Sequence, residues 1–582
     1  MAVIKYCILA QDKVRLILGL FVILWSVAML VARTVMLRKE MNMTIWRLLC
    51  LAPLLLCIIH FAMCYFKGSA ELNLRFYAPI YCAAIALAIL QFRYGRDQKI
   101  ALAGGVVIAL AVVGMAIGVF QSANGNVTIG NFSRCNYEDA MRGILAEMRE
   151  HYCLNDWKEI DYEALEERMM PQMQAADEQD DAVAFYMALC EYRYYFYDWH
   201  LILTANTDRG REAERQGRER LAGYDHGFAM FTLDSGETVA IMTDRNSAAY
   251  RAGIQDGTRI LRWNGVPVEE AAAEVQCIYP DYGFSVKENE DRVKAVFLAG
   301  RGGETVTVTY LDAEGMERSV ALNSMGSYQE RLENTLDRFY RVSTLAPEDA
   351  RNGNYYTRML TSDIGYLRIE RESYHVISDA VAMVTGHYEK VTDMLDRKLV
   401  ALRNAGMTSL VIDVRNNRGG SDDISGAVAT LFTDEKLYNY GFGEYIDGEY
   451  ITTQEHWVNG NGKWKELPVV LLVNSECLSA GDRLASLLGE CPNVQVVGMT
   501  VTNGIDQNPT ATCVTPNSDF LLRYPSVFSL SQQEGPNNDT RADRESRMVL
   551  DRYIPITEEA VLRIFREDAD YELEYVVDLL RE

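Results

Sequence analysis

Basic charge is scarce in this chain, and the scarcity is uneven. The 582 residues carry 57 Lys and Arg against 81 Asp and Glu, a net charge of −24. Residues 1–121 hold 12 of the bases and only 4 acids, a net of +8, which leaves the remainder at −32. So acidic a body has no basic footprint for a phosphate backbone, and nucleic-acid binding is excluded. Cysteine spacing excludes a second class. None of the 12 Cys forms a C-x-x-C pair, so no structural zinc site is expected. No other metal and no organic cofactor is implied. Seven cysteines lie beyond residue 121, and their odd number leaves at least one thiol unpaired. A secretory signal peptide is also missing, because the apolar segments are too many and no small-residue cleavage site follows the first.

Long apolar runs are present, and they crowd into residues 1–121. Val14–Val31, Ile45–Phe66, Tyr77–Leu90 and Ile100–Phe120 stand out. A helix crosses a hydrocarbon core with about 20 apolar residues, so the expectation is a domain of about four transmembrane helices. Arg93, Arg96 and Lys99 precede the last run, and no Lys or Arg follows until Arg134. The positive-inside rule then predicts a multi-pass cell-membrane protein with a lipid bilayer as partner and the large domain on the extracytoplasmic side.

The stretch that organises the rest is Val469–Leu488, VVLLVNSECLSAGDRLASLL. Val469–Val473 reads as a buried parallel strand. From Ala480 onward the apolar residues Leu484, Leu487 and Leu488 fall at helical spacing. Ser479 therefore sits where a buried strand becomes a helix, although the G-x-S-x-G signature of other hydrolases is absent. There the free N–H groups of the first helical turn could stabilise a developing oxyanion. The alternative is that Ser479 merely caps the helix. Cys477, two residues earlier, reads as a packing residue.

Residues 122–136 read as a linker, 137–222 as a helical section, 223–325 as a β-rich module and 326–582 as an α/β domain. Within the module, SAAYRAGIQDGTRILRWNG (Ser247–Gly265) resembles a PDZ domain, with small residues starting a short helix and an Asn-Gly hairpin ending a strand. GYDHGF (Gly223–Phe228) stands where that family keeps its carboxylate-binding loop. The resemblance implies peptide binding at Gly227 and Phe228, by strand addition to an open sheet edge. A structural module whose groove this chain fills itself is the alternative.

VIDVRNNRGG (Val411–Gly420), followed by VVLLVN-x₄-SAGD, resembles the C-terminal processing (tail-specific) peptidases and the related tricorn-core serine peptidases. The resemblance implies a multidomain chain: an α-helical membrane region, a helical section, a PDZ-like β module and an α/β catalytic domain of the tail-specific protease type. It implies Ser479 as nucleophile, with backbone N–H groups of Ala480, Gly419 and Gly420 holding the oxyanion. Tail-specific members use a lysine after the next strand, but VGMTVTNGIDQN (Val497–Asn508) contains none. Tricorn-like members use a histidine in an Asp-x-His sequence. Asp198-Trp199-His200 matches that pattern, with Trp199 departing from the usual Gly, and a neutral imidazole can accept the serine proton near pH 7. The competing reading packs His200 among Tyr194, Phe196 and Trp199. The acidic orienter implied is Glu545, with Asp539 and Asp543 as competitors. The expected function is a serine endopeptidase acting on unstructured or C-terminal protein segments. The alternative is an inactive pseudo-peptidase that binds peptides.

Overall fold

Short β-branched runs build the sheet that carries the site. The structure, a computed structural model, describes residues 127–340, 353–374, 388–532, 535–539 and 548–581, with Asp379, residues 49–66 and scattered positions between 18 and 89. The chain divides into two units, one joining Met1–Tyr152 with Pro509–Tyr524 and the other joining Cys153–Asn508 with Pro525–Glu582.

The second unit is organised on six strands: β1 (Tyr355–Met359), β2 (Ile364–Ile369), β3 (Ser409–Asp413), β4 (Val469–Leu472), β5 (Val494–Gly498) and β6 (Arg552–Tyr553). They lie in space in the order they occur in the chain. Strands β2 to β6 are parallel neighbours and β1 is antiparallel to β2. Parallel neighbours end on the same side, so the segments leaving β2, β3 and β4 all emerge at one edge. Alternate residues face opposite ways. Leu367, Leu410, Ile412, Leu471 and Val496 join one apolar core with Leu395 and Leu399 of α1 (Glu389–Asn404), Val428 of α2 (Asp422–Ala429) and Leu484 and Leu488 of α3 (Ala480–Gly489). Each fully buried aliphatic side chain there contributes about 1.5–3 kcal/mol.

The interleaved residues Tyr366, Arg368 and Asp413 belong instead to a buried ionic network. Tyr366 Oη and Arg368 Nη1 donate to Asp413 Oδ2 at 2.9 and 3.0 Å. Arg415, just past β3 and 1% exposed, donates to the same oxygen at 2.8 Å. Arg415 also grips Asp570 with two bonds of 2.8 and 2.9 Å and reaches Glu572 at 3.1 Å. Burial alone would raise the Asp413 carboxyl, but the Arg415 and Arg368 guanidiniums outweigh it and hold it well below the usual range. Asp570 caps the C-terminal helix by accepting from Leu573 N, so this network ties the chain's last helix to the sheet.

Residues 229–323 form an antiparallel sheet of strands Ala229–Thr232, Thr238–Ile241, Arg259–Trp263, Thr305–Leu311 and Glu317–Asn323. Its Asn264-Gly265 turn has both residues at positive φ, +50° and +82°, as a two-residue type I′ hairpin requires. Trp263 pairs with Val266 across it. Before this sheet, helices Tyr162–Gln179, Ala182–Tyr194 and Asp208–Ala222 are N-capped by the side chains of Asp161, Asp181 and Thr207. After α2 comes a hairpin of Lys436–Ile446 and Glu449–Asn459.

In the first unit, Val127–Asn131 pairs in parallel with Ala511–Val514, which pairs antiparallel with Phe520–Tyr524. Helix Tyr137–His151 follows, capped by Asn136 Oδ1 on Asp139 N at 2.8 Å.

The expected membrane region is corrected here. Among the described residues no helix is long and apolar enough to cross a membrane. Within the run Ile45–Phe66 the described helix is Ala52–Phe66, 15 residues, short of the roughly 20 that a hydrocarbon core demands. The run Val14–Val31 falls largely outside the described residues, Tyr77–Leu90 partly so, and Ile100–Phe120 wholly so. The α-helical membrane region, the bilayer partner and the multi-pass extracytoplasmic placement therefore lose their support.

Removing Arg415 strands buried carboxylates. Arg415→Ala should destabilise the fold by roughly 3–5 kcal/mol, read as a shift in the denaturant midpoint. A loss below about 1 kcal/mol, the worth of a surface ion pair, would refute the network's role.

Candidate active site

Ser479 occupies the junction between β4 and α3 in a backbone conformation that side chains avoid, φ +59° and ψ −133°. Such a conformation stores strain and persists only where neighbours over-determine it. Four contacts do so. Ser479 N donates to Ile505 O at 2.9 Å, and Ser479 O accepts from Arg483 N at 2.9 Å. Leu478 N donates to Asn417 O at 3.0 Å, and Gly481 N to Leu478 O at 3.1 Å. The Ser479 side chain makes no capping bond to α3, which removes the bland reading of this residue. It is half-buried.

The loop after β3 closes on this junction. Gly419 has φ +90°, and a Cβ there would lie 2.7 Å from Ser479 Cβ and 2.9 Å from Ala480 N. Only glycine lets the main chain come so near. Gly420 is hemmed on its other side, where a Cβ would meet Glu372 O at 2.4 Å. Ser479, Ala480, Gly419 and Gly420, widely separated in sequence, are thus brought together. Their N–H groups differ. That of Gly419 donates to Asn417 Oδ1 at 3.0 Å, whereas those of Gly420 and Ala480 have no acceptor among the described residues. Two donors therefore remain open beside the hydroxyl.

Two buried carboxyls brace this arrangement, and neither belongs to an expected site. Asp482, in the first turn of α3, accepts from Thr502 Oγ1 at 2.7 Å, Gly504 N at 2.6 Å and Ile505 N at 3.2 Å. It thereby holds the carbonyl that receives Ser479 N. Glu372 Oε1 accepts from Asn417 Nδ2 at 2.6 Å. Burial pushes both acids up to about 7, against the hydrogen bonds that pull them down. Asp482 and Asn417 stand inside the quoted motifs and could have been singled out there. Glu372 lies in no motif, and only the fold brings it to the loop.

His200 is 4% exposed. Its N–H donates to Asp198 Oδ1 at 2.8 Å, which shapes the turn. Trp199 packs under the Arg193 guanidinium, 4.6 Å from its ring centre, and over Gly283, where a Cβ would overlap the indole. Gly283 O accepts from Asn503 Nδ2 at 3.3 Å, and Asn503 N donates to Cys477 O at 2.9 Å. The histidine turn is thus linked through two residues to the segment preceding Ser479. Of the acids, Glu545 and Asp543 lie outside the described residues. Asp539 is fully buried, accepts from Asp506 N at 3.2 Å, and is pushed up to about 7 by burial, with a smaller contribution from Asp198. Burial drives the Cys477 thiol far above its ordinary value, so it is no thiolate nucleophile.

The expected peptide-binding pair is otherwise engaged. Gly227 N donates to Asp225 Oδ1 at 2.7 Å, and Phe228 is buried against Trp263, ring centres 6.2 Å apart. Among the described residues no group of three or more His, Cys, Asp or Glu could hold a metal ion.

The raised acids give a pH dependence of defined sign. Between their unfolded values, 3.8 for Asp482 and 4.5 for Glu372, and about 7, the folded chain keeps protons that the unfolded chain releases. The contribution of these two groups to stability therefore falls as pH rises through that window. Asp482→Asn removes one term, so its denaturation midpoint should drop less than the wild type's between pH 5 and 8. An identical drop would contradict the assignment.

Residues 363–531 match the model of peptidase family S41, a span that contains Ser479, Gly419 and Gly420 but not His200. No curated protein matches the chain. Among solved structures, mature CPAF complexed with lactacystin is similar at 12% identity, over 76% of this chain and 98% of that one, with a TM-score of 0.45. The photosystem II D1 C-terminal processing protease matches at 15% identity over 75% and 98%, TM-score 0.32. The tricorn protease matches at 13% over 76% and 36%, TM-score 0.33. At such identities and TM-scores the assignment stands on the family match. Residues 363–531 are a peptidase family S41 domain, and the protein is a serine-type peptidase.

Proposed function

We propose that this peptidase cleaves unstructured or C-terminal segments of proteins, with Ser479 as its nucleophile. The observation that carries the reading is the Ser479 junction itself: a half-buried hydroxyl bound to no cap, beside two N–H groups that have no acceptor among the described residues. In this reading Ser479 Oγ attacks the scissile carbonyl and His200 takes its proton as general base. The Ala480 and Gly420 N–H groups receive the oxyanion. His200 then returns the proton to the leaving amine, and water, activated the same way, releases the acyl group from Ser479. Gly419, expected as a third donor, is assigned to loop geometry because its N–H is held by Asn417. The orienting acid in this reading is Asp539, whose carboxylate and that of Asp198 lie within electrostatic reach of each other.

The module over 223–325 is read as PDZ-like and structural. One face of its edge strand Ala229–Thr232 packs on this chain, with the Phe231 ring 4.8 Å from that of Phe339 and 5.4 Å from that of Phe565.

The test uses the full-length chain with casein as an unstructured substrate and a fluorophosphonate probe as an active-serine label. Wild type should hydrolyse casein and take up the probe at Ser479. Ser479→Ala should lose both, with hydrolysis down by roughly 10³-fold or more, and His200→Ala should lose hydrolysis to a comparable degree. Casein hydrolysis surviving in Ser479→Ala would remove the nucleophile assignment, and hydrolysis surviving in His200→Ala would remove the base.

A further inference from the structure

We propose that Glu372 is a positioning residue of the peptidase, setting the Gly419–Gly420 loop against Ser479 by fixing the orientation of the Asn417 amide. The proposal rests on the Ser479 reading above and deepens it. Glu372 lies three residues beyond β2, and the Gly419–Gly420 loop leaves the neighbouring parallel strand β3, so the two meet at one edge of the sheet. Glu372 holds that loop on both sides of the glycines. Before them, its Oε1 accepts from Asn417 Nδ2 at 2.6 Å. After them, its backbone O accepts from Ser421 N at 3.0 Å.

The carboxyl decides which way the amide faces. Glu372 Oε1 accepts whether the acid is ionised or carries its proton on Oε2, so it takes the Nδ2 end of Asn417 and leaves Oδ1 pointing the other way. That oxygen accepts from Gly419 N at 3.0 Å. Gly419 is thereby pinned at φ +90°, with its Cα so near Ser479 that a Cβ would lie 2.7 Å from Ser479 Cβ. A flipped amide would set an N–H against the Gly419 N–H and release the loop. Gly420, one residue on, carries one of the two open N–H groups, so a shift of the loop moves a donor of the oxyanion site.

A structural purpose for Glu372 is poorly served by its surroundings. It is 1% exposed, and its Oε2 has no hydrogen-bond partner among the described residues. A buried carboxyl with one side-chain donor contributes little net stability, because its desolvation offsets the bond. Its effect is therefore expected in the turnover of the site.

The experiment measures kcat and KM on labelled casein with the full-length chain, alongside the unfolding midpoint and fluorophosphonate labelling. Glu372→Ala should lower kcat by about 100-fold, the scale of a displaced catalytic group, with KM much less affected. Glu372→Gln, which can still accept from Asn417, should recover most of that loss. Asn417→Ala should match Glu372→Ala, and the double variant should be no worse than either. If Glu372→Ala does not fold, the reciprocal exchange serves as the second test. Asn417→Asp alone sets two carboxyls face to face and should be impaired. Combining it with Glu372→Gln restores a donor–acceptor pair in reverse and should regain activity. An unchanged kcat in Glu372→Ala, no recovery with Glu372→Gln, or no rescue by the exchange would overturn the proposal alone, provided wild type is active and Ser479-dependent. A wild type that neither hydrolyses casein nor labels would overturn the Ser479 reading and this one together.

Discussion

A left-handed backbone at a serine is the constraint on which the site depends. Ser479 cannot hold φ +59° by itself, since the steric cost of that region for a side chain is on the order of 1–2 kcal/mol. A closed ring of hydrogen bonds supports it: Ser479 N to Ile505 O, Ile505 N to Asp482, and Asp482 back through one turn of helix to Ser479. The ring joins the turn after β4 to the loop after β5, so a change in either reaches the Ser479 hydroxyl. A buried acid is well suited to the centre of such a ring, because one carboxyl can take three donors from a loop that has no regular ladder of its own.

The core sheet divides its labour between faces. Its aliphatic residues and three helices form an apolar core on one set of alternate positions. The other set carries Asp413, Arg368 and, just beyond, Arg415, which fastens Asp570 and Glu572 at the start of the last helix. Arg415 stands in the same short motif as Gly419 and Gly420. Six residues thus anchor the C-terminal helix and line the Ser479 junction. Buried ion pairs seldom add net stability over apolar packing, but here the pairing settles where a distant segment docks.

Local chemistry made much of this legible in advance. Ile364–Ile369 and Val494–Gly498 are strands at the residues that their β-branched, apolar character indicated. Val469–Leu472 ends where the turn residues begin, and Thr557 caps its helix through Ala560 N. The Asn264-Gly265 hairpin follows from the positive φ that those residues tolerate. The peptidase family was legible because two short motifs each require glycine or serine at fixed offsets. The expectation of four membrane spans lost its support because no helix among the described residues is long and apolar enough to cross a membrane.

The sequence by itself determined the strands, the strand-to-helix turn at Ser479 and the need for glycine at 419 and 420, because each follows from side-chain shape and backbone sterics within a few residues. Only the tertiary structure decided which N–H groups stay open, because the Gly419 amide is claimed by Asn417 and those of Gly420 and Ala480 are not. It also decided that Glu372, 107 positions before Ser479, reaches the same loop. Parallel strands carry their C-terminal ends to one edge whatever their separation in the chain, and that juxtaposition leaves no local trace in the residues.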